Sequence, residues 1–336
     1  MYSTLKKLCL LDGTSGREDA VREYIISQLG DNEYRVDALG NLIVSVKGKK
    51  RAKNRVMLCA HMDEVGVIAT YVTTDGYIKF TNVGGIRVSA LAGKSVRFEN
   101  GTYGVIGLVP VHLLPAGEKD VMPAPDSLYI DIGTDSREET LKYVQPGDTA
   151  VFSAEYTETG DKILSKAIDD RAGCAVMLDM IKTGVEYDTV FCFNVQEEVG
   201  LRGAVTSTYS VAPDYAVVLE STTASDLADV KDEKRVCVLG DGAAVGFMDN
   251  ATVYDKNLYK AAFETAAEYG IKIQTKTAVA GGNDAGSVHK SRGGVKTLTV
   301  NVPCRYIHSP SCMCDKNDLY AVRQLAEKLA ERFANE

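Results

Sequence analysis

Val56-Met57-Leu58-Cys59-Ala60-His61-Met62-Asp63-Glu64 is an unbroken apolar run that ends on a histidine and two carboxylates. A strand with one wet face alternates polar and apolar residues. A continuous run predicts a strand covered on both faces, as in a parallel sheet flanked by helices. Functional groups of such sheets gather beyond the carboxyl ends of the strands, and His61 stands there. The arrangement recurs along the chain. Val190-Phe191-Cys192-Phe193-Asn194-Val195 leads to Glu197-Glu198, Ala216-Val217-Val218-Leu219 leads to Glu220, and a strand over 296–302 precedes His308. Between these runs the apolar spacing turns helical: Val21, Ile25 and Leu29 before Gly30; Ala172, Val176, Met180 and Ile181 after Asp170; a helix over 258–269; and Leu319, Val322, Leu325 and Leu329 in a terminal helix. The fold class expected is α/β, a mostly parallel sheet flanked by helices.

Residues 65–165 differ in character. Short β-like runs at 67–72, 77–82, 95–98 and 150–154 are punctuated by Asp75-Gly76, Gly84-Gly85, Asn100-Gly101 and Pro146-Gly147, with almost no helical periodicity. A small all-β domain inserted into the α/β one is expected. The catalytic domain is then discontinuous, 1–64 and 166–336.

The 336 residues carry a net charge of −8, with 45% hydrophobic and 25% charged residues, the proportions of a globular protein. The dense basic run Lys47, Lys49, Lys50, Arg51, Lys53 and Arg55 reads as a solvated loop between two strands, too narrow for a nucleic-acid surface. No apolar stretch is long enough to span a membrane, and the first residues lack the apolar core of a signal peptide. The cytoplasm is the expected compartment. Most of the eight cysteines lie in apolar runs and read as buried, reduced thiols, Cys312-Met313-Cys314 being the one close pair.

Histidine occurs only four times, as His61, His112, His289 and His308. Two of the four lie beyond strand ends, beside Glu197-Glu198, Glu220 and the pair Asp169-Asp170 at a helix start. Carboxylates crowded at one sheet edge repel one another and lose hydration unless a cation joins them. Imidazole and carboxylate donors without a cysteine cluster suit Zn²⁺, Co²⁺ or Mn²⁺ at an open, reactive site. One carboxylate shared by two such ions would put a hydroxide between them. A carboxylate next to a ligand, as Glu197 is next to Glu198, is placed to take the proton of that water. Asp63, two residues after His61, is placed to hold the imidazole tautomer. His112 reads as a core or interface residue and His289 as a surface one.

Six motifs in order resemble the tetrahedral (TET) metalloaminopeptidases, a group that includes the glutamyl aminopeptidases. They are Ala60-His61-Met62-Asp63-Glu64-Val65-Gly66, Ala167-Ile168-Asp169-Asp170-Arg171-Ala172-Gly173, residues 195–204 around Glu197-Glu198, Glu220-Ser221-Thr222-Thr223-Ala224, Gly282-Asn283-Asp284-Ala285 and Arg305-Tyr306-Ile307-His308-Ser309. The resemblance implies an aminopeptidase acting on short peptides. It implies Asp169 as a carboxylate bridging two divalent metal ions, His61 and Glu220 completing one site, and Glu198 and His308 the other. Glu197 would be the general base, and Asp284 would lie on a substrate-side loop. Glu220 stands where many relatives carry Asp, and its extra methylene alters the geometry of that site. The resemblance further implies a cis peptide between Asp169 and Asp170, zinc as the first choice of metal, dimerisation through the β-rich insert, and assembly of dimers into a tetrahedral dodecamer.

Competing readings share parts of this pattern. A deacetylase or aminoacylase would use the same two-metal site on blocked amines. A glycosidase needs the paired carboxylates and not the two histidines. A metal-binding assembly protein without turnover has no need of Glu197.

Overall fold

The strand Val56–His61 is buried along its whole length, near the middle of an 11-stranded sheet. The computed structural model describes residues 1–115, 117 and 121–336. The strands Thr189–Asn194, Val56–His61, Tyr215–Thr223 and Lys296–Arg305 run parallel, side by side. Both flanks turn antiparallel, through Leu42–Val46 and Glu33–Val36 on one side and Cys312–Asp315, Lys162–Ser165 and Thr157–Thr159 on the other. The parallel core is the part that carries the ligand candidates. Asn194 pairs with His61, Val218 with Cys59, and Glu220 with Asn301, so the carboxyl ends of these strands are in step.

Helices Ile168–Thr183 and Lys316–Asn335 pack against the central strands and each other. The face expected from spacing in the last helix, Leu319, Val322, Leu325 and Leu329, is fully buried. Gly173 allows close approach of helix and strand: a Cβ there would lie 2.9 Å from Ala60 Cβ and 2.5 Å from an Asp170 carboxylate oxygen. The start of the helix is thereby drawn onto the end of the strand that carries His61.

Strands Gly66–Val72, Ile78–Val83, Ser95–Phe98, Tyr103–Gly107, Tyr129–Asp131 and Thr149–Phe152 close into a separate barrel. Its own core includes Val67, Ile78, Val96, Phe98, Ile106 and Ile130. Thr157–Thr159 and Lys162–Ser165, which composition grouped with the 65–165 insert, form a hairpin whose second strand pairs instead with Cys312–Asp315 of the large sheet. The partner strand lies some 150 residues away, so no local pattern announces the pairing. His112 is exposed on the short turn Val111–Leu113, not in a core. No described helix is long and apolar enough to cross a membrane.

Candidate metal centre

Chain geometry delivers the candidates to one spot from five segments. His61 is the last residue of its strand and only 1% exposed. Ala167 adopts φ +55°, Asp169 and Asp170 depart from helical dihedrals, and the peptide between these two is cis, as the family resemblance implies. Glu197 and Glu198 follow the strand Thr189–Asn194. Glu220 lies within Tyr215–Thr223, a strand that continues past the apolar run because it stays paired with Lys296–Arg305 through Thr223. His308 follows Lys296–Arg305 at φ +60°.

Asp169 sits between the two imidazoles. Its Oδ1 is 3.4 Å from His61 Nε2 and its Oδ2 3.3 Å from His308 Nε2. Glu220 Oε1 lies 3.5 Å from His61 Nε2, and Glu198 Oε2 lies 3.2 Å from His308 Nε2. Glu197 Oε2 is farther off, 3.9 Å from His61 Nε2. Donor atoms of His61, Asp170 and Glu220 come within 4.8 Å of one another, as do those of His61, Asp169 and Glu198. Asp170, which sequence reading treated as a neighbour of the bridging carboxylate, therefore joins the cluster itself.

Both imidazoles are oriented from behind. His61 Nδ1 faces the Asp63 carbonyl at 3.1 Å and Asp63 Oδ1 at 3.3 Å. His308 Nδ1 faces the Gly85 carbonyl at 2.8 Å. A proton donated from Nδ1 leaves the Nε2 lone pair aimed at the carboxylates, the arrangement of a metal-ligating histidine. Asp63 is fully buried and also accepts the Glu197 N–H at 2.9 Å, the Glu198 N–H at 3.1 Å and the Ser15 hydroxyl at 2.6 Å.

Electrostatics record a site built for cations. Burial and then the Asp169 charge push Glu220 up to about 8. Burial raises Glu197 well above the usual carboxylate range and raises Glu198 as well. For Asp169, burial acts upward but the neighbouring His308 and His61 imidazoles outweigh it and hold the carboxyl well below that range. Burial would lower both histidines. The Glu220 charge and the Asp169 and Asp63 contacts instead raise His61 far above its ordinary value, and Asp169 and Glu198 lift His308 to about 11. Asp169 Oδ1 and Asp170 Oδ2 are buried without any hydrogen-bond partner. Buried oxygens left unpaired, beside imidazole Nε2 atoms, are what a divalent cation satisfies, so these residues fit a metal.

The cluster forms the floor of a cleft of about 460 Å³ whose walls include Thr222, Val236, Lys276, Gly281, Asn283 and Ile307. A cavity of about 570 Å³ opens at the other end of the same strands, beside Val56, Thr189 and Asp214. It lacks any histidine, and its Arg51 is already paired with Asp188, so size alone does not mark the chemistry. Asp284, expected on the substrate side, is instead buried behind the cleft wall and accepts the Asn194 side-chain amide at 2.7 Å; burial pushes it up to about 6. Its neighbours Gly281, Gly282 and Asn283 line the cleft in its place. Sequence reading also missed Ser15, Glu18, Asn41 and Gly85. Each is a single residue whose partner is remote in sequence, and no periodicity or strand-end position marks it.

Residues 40–325 match the M42 glutamyl aminopeptidase family. The chain belongs to this family. This M42 protein is therefore a peptide hydrolase, a metal-dependent aminopeptidase. It is 34% identical to an aminopeptidase from the archaeon Desulfurococcus kamchatkensis, with a TM-score of 0.92 over 98% of this chain and 94% of that one. The TET1 peptidase of Pyrococcus horikoshii, which can assemble into a tetrahedron or a large octahedral shell, is 35% identical, with a TM-score of 0.85 over 98% of each chain. The lysyl aminopeptidase of Pyrococcus furiosus is 30% identical over 99% of this chain and 97% of its own.

Proposed function

We propose that this aminopeptidase removes N-terminal residues from short peptides at a pair of divalent metal ions that share Asp169. The observation that carries the reading is the placement of the two Asp169 oxygens, one toward each imidazole Nε2, at 3.4 and 3.3 Å. His61 and Glu220 would hold one ion, with Asp170 within reach; Glu198 and His308 would hold the other. Zinc is the first candidate, and cobalt or manganese suit the same donors. The ions would supply Lewis-acid polarisation of the scissile carbonyl and acidify the attacking water.

The chain's own groups do the rest. Glu197 stands outside the ligand pairs and borders the cleft, so its carboxylate accepts the proton of the attacking water and returns it to the leaving amine. Asp63 fixes His61 and the backbone of Glu197 and Glu198 together. A free α-amine keeps a nitrogen lone pair that one of the ions could accept, whereas an acylated nitrogen has its lone pair delocalised into the carbonyl. This difference separates an aminopeptidase from a deacetylase or aminoacylase.

Chelation should abolish hydrolysis of leucyl-nitroanilide, and Zn²⁺, Co²⁺ or Mn²⁺ should restore it. N-acetylated substrate should stay intact throughout. Cleavage of the acetylated compound at a comparable rate would replace this reading with the aminoacylase one.

Outside the ligand candidates and Glu197, Lys276 is the one charged side chain among the described residues lining the cleft. The relatives' names divide between glutamyl and lysyl substrates, and this cation favours the acidic side. Lys276→Ala should lower kcat/KM for glutamyl-nitroanilide by about tenfold, the worth of one charge-assisted contact, and leave leucyl-nitroanilide unchanged. Equal losses on both substrates would remove Lys276 from specificity.

Val109, Val111, Leu113, Val121 and Met122 of the β insert are between 40% and 66% exposed. They supply an apolar surface for dimerisation, and by analogy with the Pyrococcus horikoshii relative the dimers build a tetrahedral dodecamer whose openings admit only short peptides. The compartment proposed is the cytoplasm, where the eight buried free thiols stay reduced.

A further inference from the structure

The turn that carries Glu197 and Glu198 is held in an unusual way. Four consecutive backbone N–H groups, residues 195–198, donate to side chains rather than to backbone carbonyls. Val195 N–H donates to Asn41 Oδ1 at 3.0 Å, Gln196 N–H to Glu18 Oε1 at 3.1 Å, Glu197 N–H to Asp63 Oδ1 at 2.9 Å and Glu198 N–H to Asp63 Oδ2 at 3.1 Å. The acceptors come from three separate segments, and each is at most 4% exposed. Gln196 itself sits at φ +55°, in the left-handed region that a residue with a Cβ seldom adopts without support.

The three acceptors are not equivalent. Asn41 also donates to Gly203, Thr206 and Asp37, and so belongs to the packing of the following helix. Asp63 touches His61 directly. Among the described residues Glu18 makes no hydrogen bond or ion pair with a ligand candidate: its Oε1 accepts the N–H of Gly16, at 2.7 Å, and that of Gln196. It immediately precedes the helix Asp19–Ser27, yet its side chain makes no capping bond to that helix. Among the described ion pairs none involves Glu18. A buried carboxylate with neither a cation nor a cap to serve is costly for folding, so its use lies in what it holds.

We infer that Glu18 is a positioning residue for the proposed general base: it locks the left-handed turn at Gln196 that aims Glu197 into the cleft. The inference rests on the role proposed for Glu197. A carboxylate displaced by even an ångström from its proton costs rate far more than it costs binding.

The test measures kcat, KM and bound metal for metal-replete Glu18→Ala, Glu18→Gln and Glu18→Asp. Glu18→Ala should lose about 10- to 100-fold in kcat, while KM and metal content stay within about twofold of the wild type. Glu18→Gln, whose amide oxygen still accepts both N–H groups, should recover most of that loss. Glu18→Asp keeps the charge but falls short of Gln196, and should lose kcat even if the alanine variant fails to fold. A wild-type kcat in Glu18→Asp or Glu18→Ala, a Gln variant as slow as Ala, or losses that merely track missing metal would each overturn the inference. Glu197→Gln is run alongside. If it keeps wild-type activity, the reading of Glu197 itself fails; if it is inactive while Glu18→Ala is fully active, only the inference about Glu18 fails.

Discussion

Glu197→Gln lowers kcat by a factor on the order of 10² to 10⁴ while the protein keeps its full complement of metal. The substitution is nearly isosteric, and the Glu197 backbone N–H stays bound to Asp63. Only the ability to take a proton is lost. Glu197 is 9% exposed, lies 3.9 Å from His61 Nε2 and is farther from both imidazoles than the four ligand carboxylate contacts are. Burial raises its proton affinity, with the His61 charge opposing, so the carboxylate is a stronger base than one in water. Because the group acts in the transition state, kcat and kcat/KM should fall together with KM little changed. Steady-state kinetics with elemental analysis of the same sample decide the matter. Retained activity, or a loss that follows missing metal, would take the general base away from Glu197.

Metal loading should weaken steeply as the pH falls from 8 to 6. In the ion-free pocket His61 and His308 hold protons far above their ordinary value, and Glu220 holds one up to about 8. Asp169 is held well below the usual range and is already ionised. A cation binds imidazole only through a free lone pair and carboxylate only when ionised, so binding expels these protons. The sign follows from mass action: more protons in solution, weaker binding. Each proton expelled makes the constant change about tenfold per unit of pH, and three groups shared over the pair give a change on the order of 10³ per unit. Competition with a zinc chelator at pH 6, 7 and 8, corrected for the chelator's own protonation, measures the slope. A flat profile would mean that these residues are not the ligands. Activity should be regained on returning to pH 8 with metal present.

Much of the centre could be read from local pattern because the chemistry of a parallel sheet lies at strand ends. The apolar run before His61, that before Glu197 and the helical stripe from Leu319 to Leu329 are all properties of neighbouring residues. Burial on both faces demands an unbroken apolar strand, and a helix on a sheet demands a spacing of three to four. These constraints write themselves into contiguous sequence. So did the barrel's turns, although its strands Tyr103–Gly107 and Tyr129–Asp131 did not, being short and broken by glycine or flanked by irregular chain.

Sequence by itself determined the α/β class, the interruption by a β-rich segment, the helix faces and the candidate ligands His61, Asp169, Glu198, Glu220 and His308. Tertiary structure alone decided that the hairpin Thr157–Thr159 and Lys162–Ser165 joins the large sheet, that Asp284 lies behind the cleft, that Gly85 of the barrel orients His308, and that Glu18 and Asn41 hold the turn before Glu197. The reason is physical. Periodicity reports which side of an element meets water, and any apolar partner of suitable shape satisfies it. A hydrogen bond or a strand register needs one particular group at one particular place, and only the packed chain supplies that place.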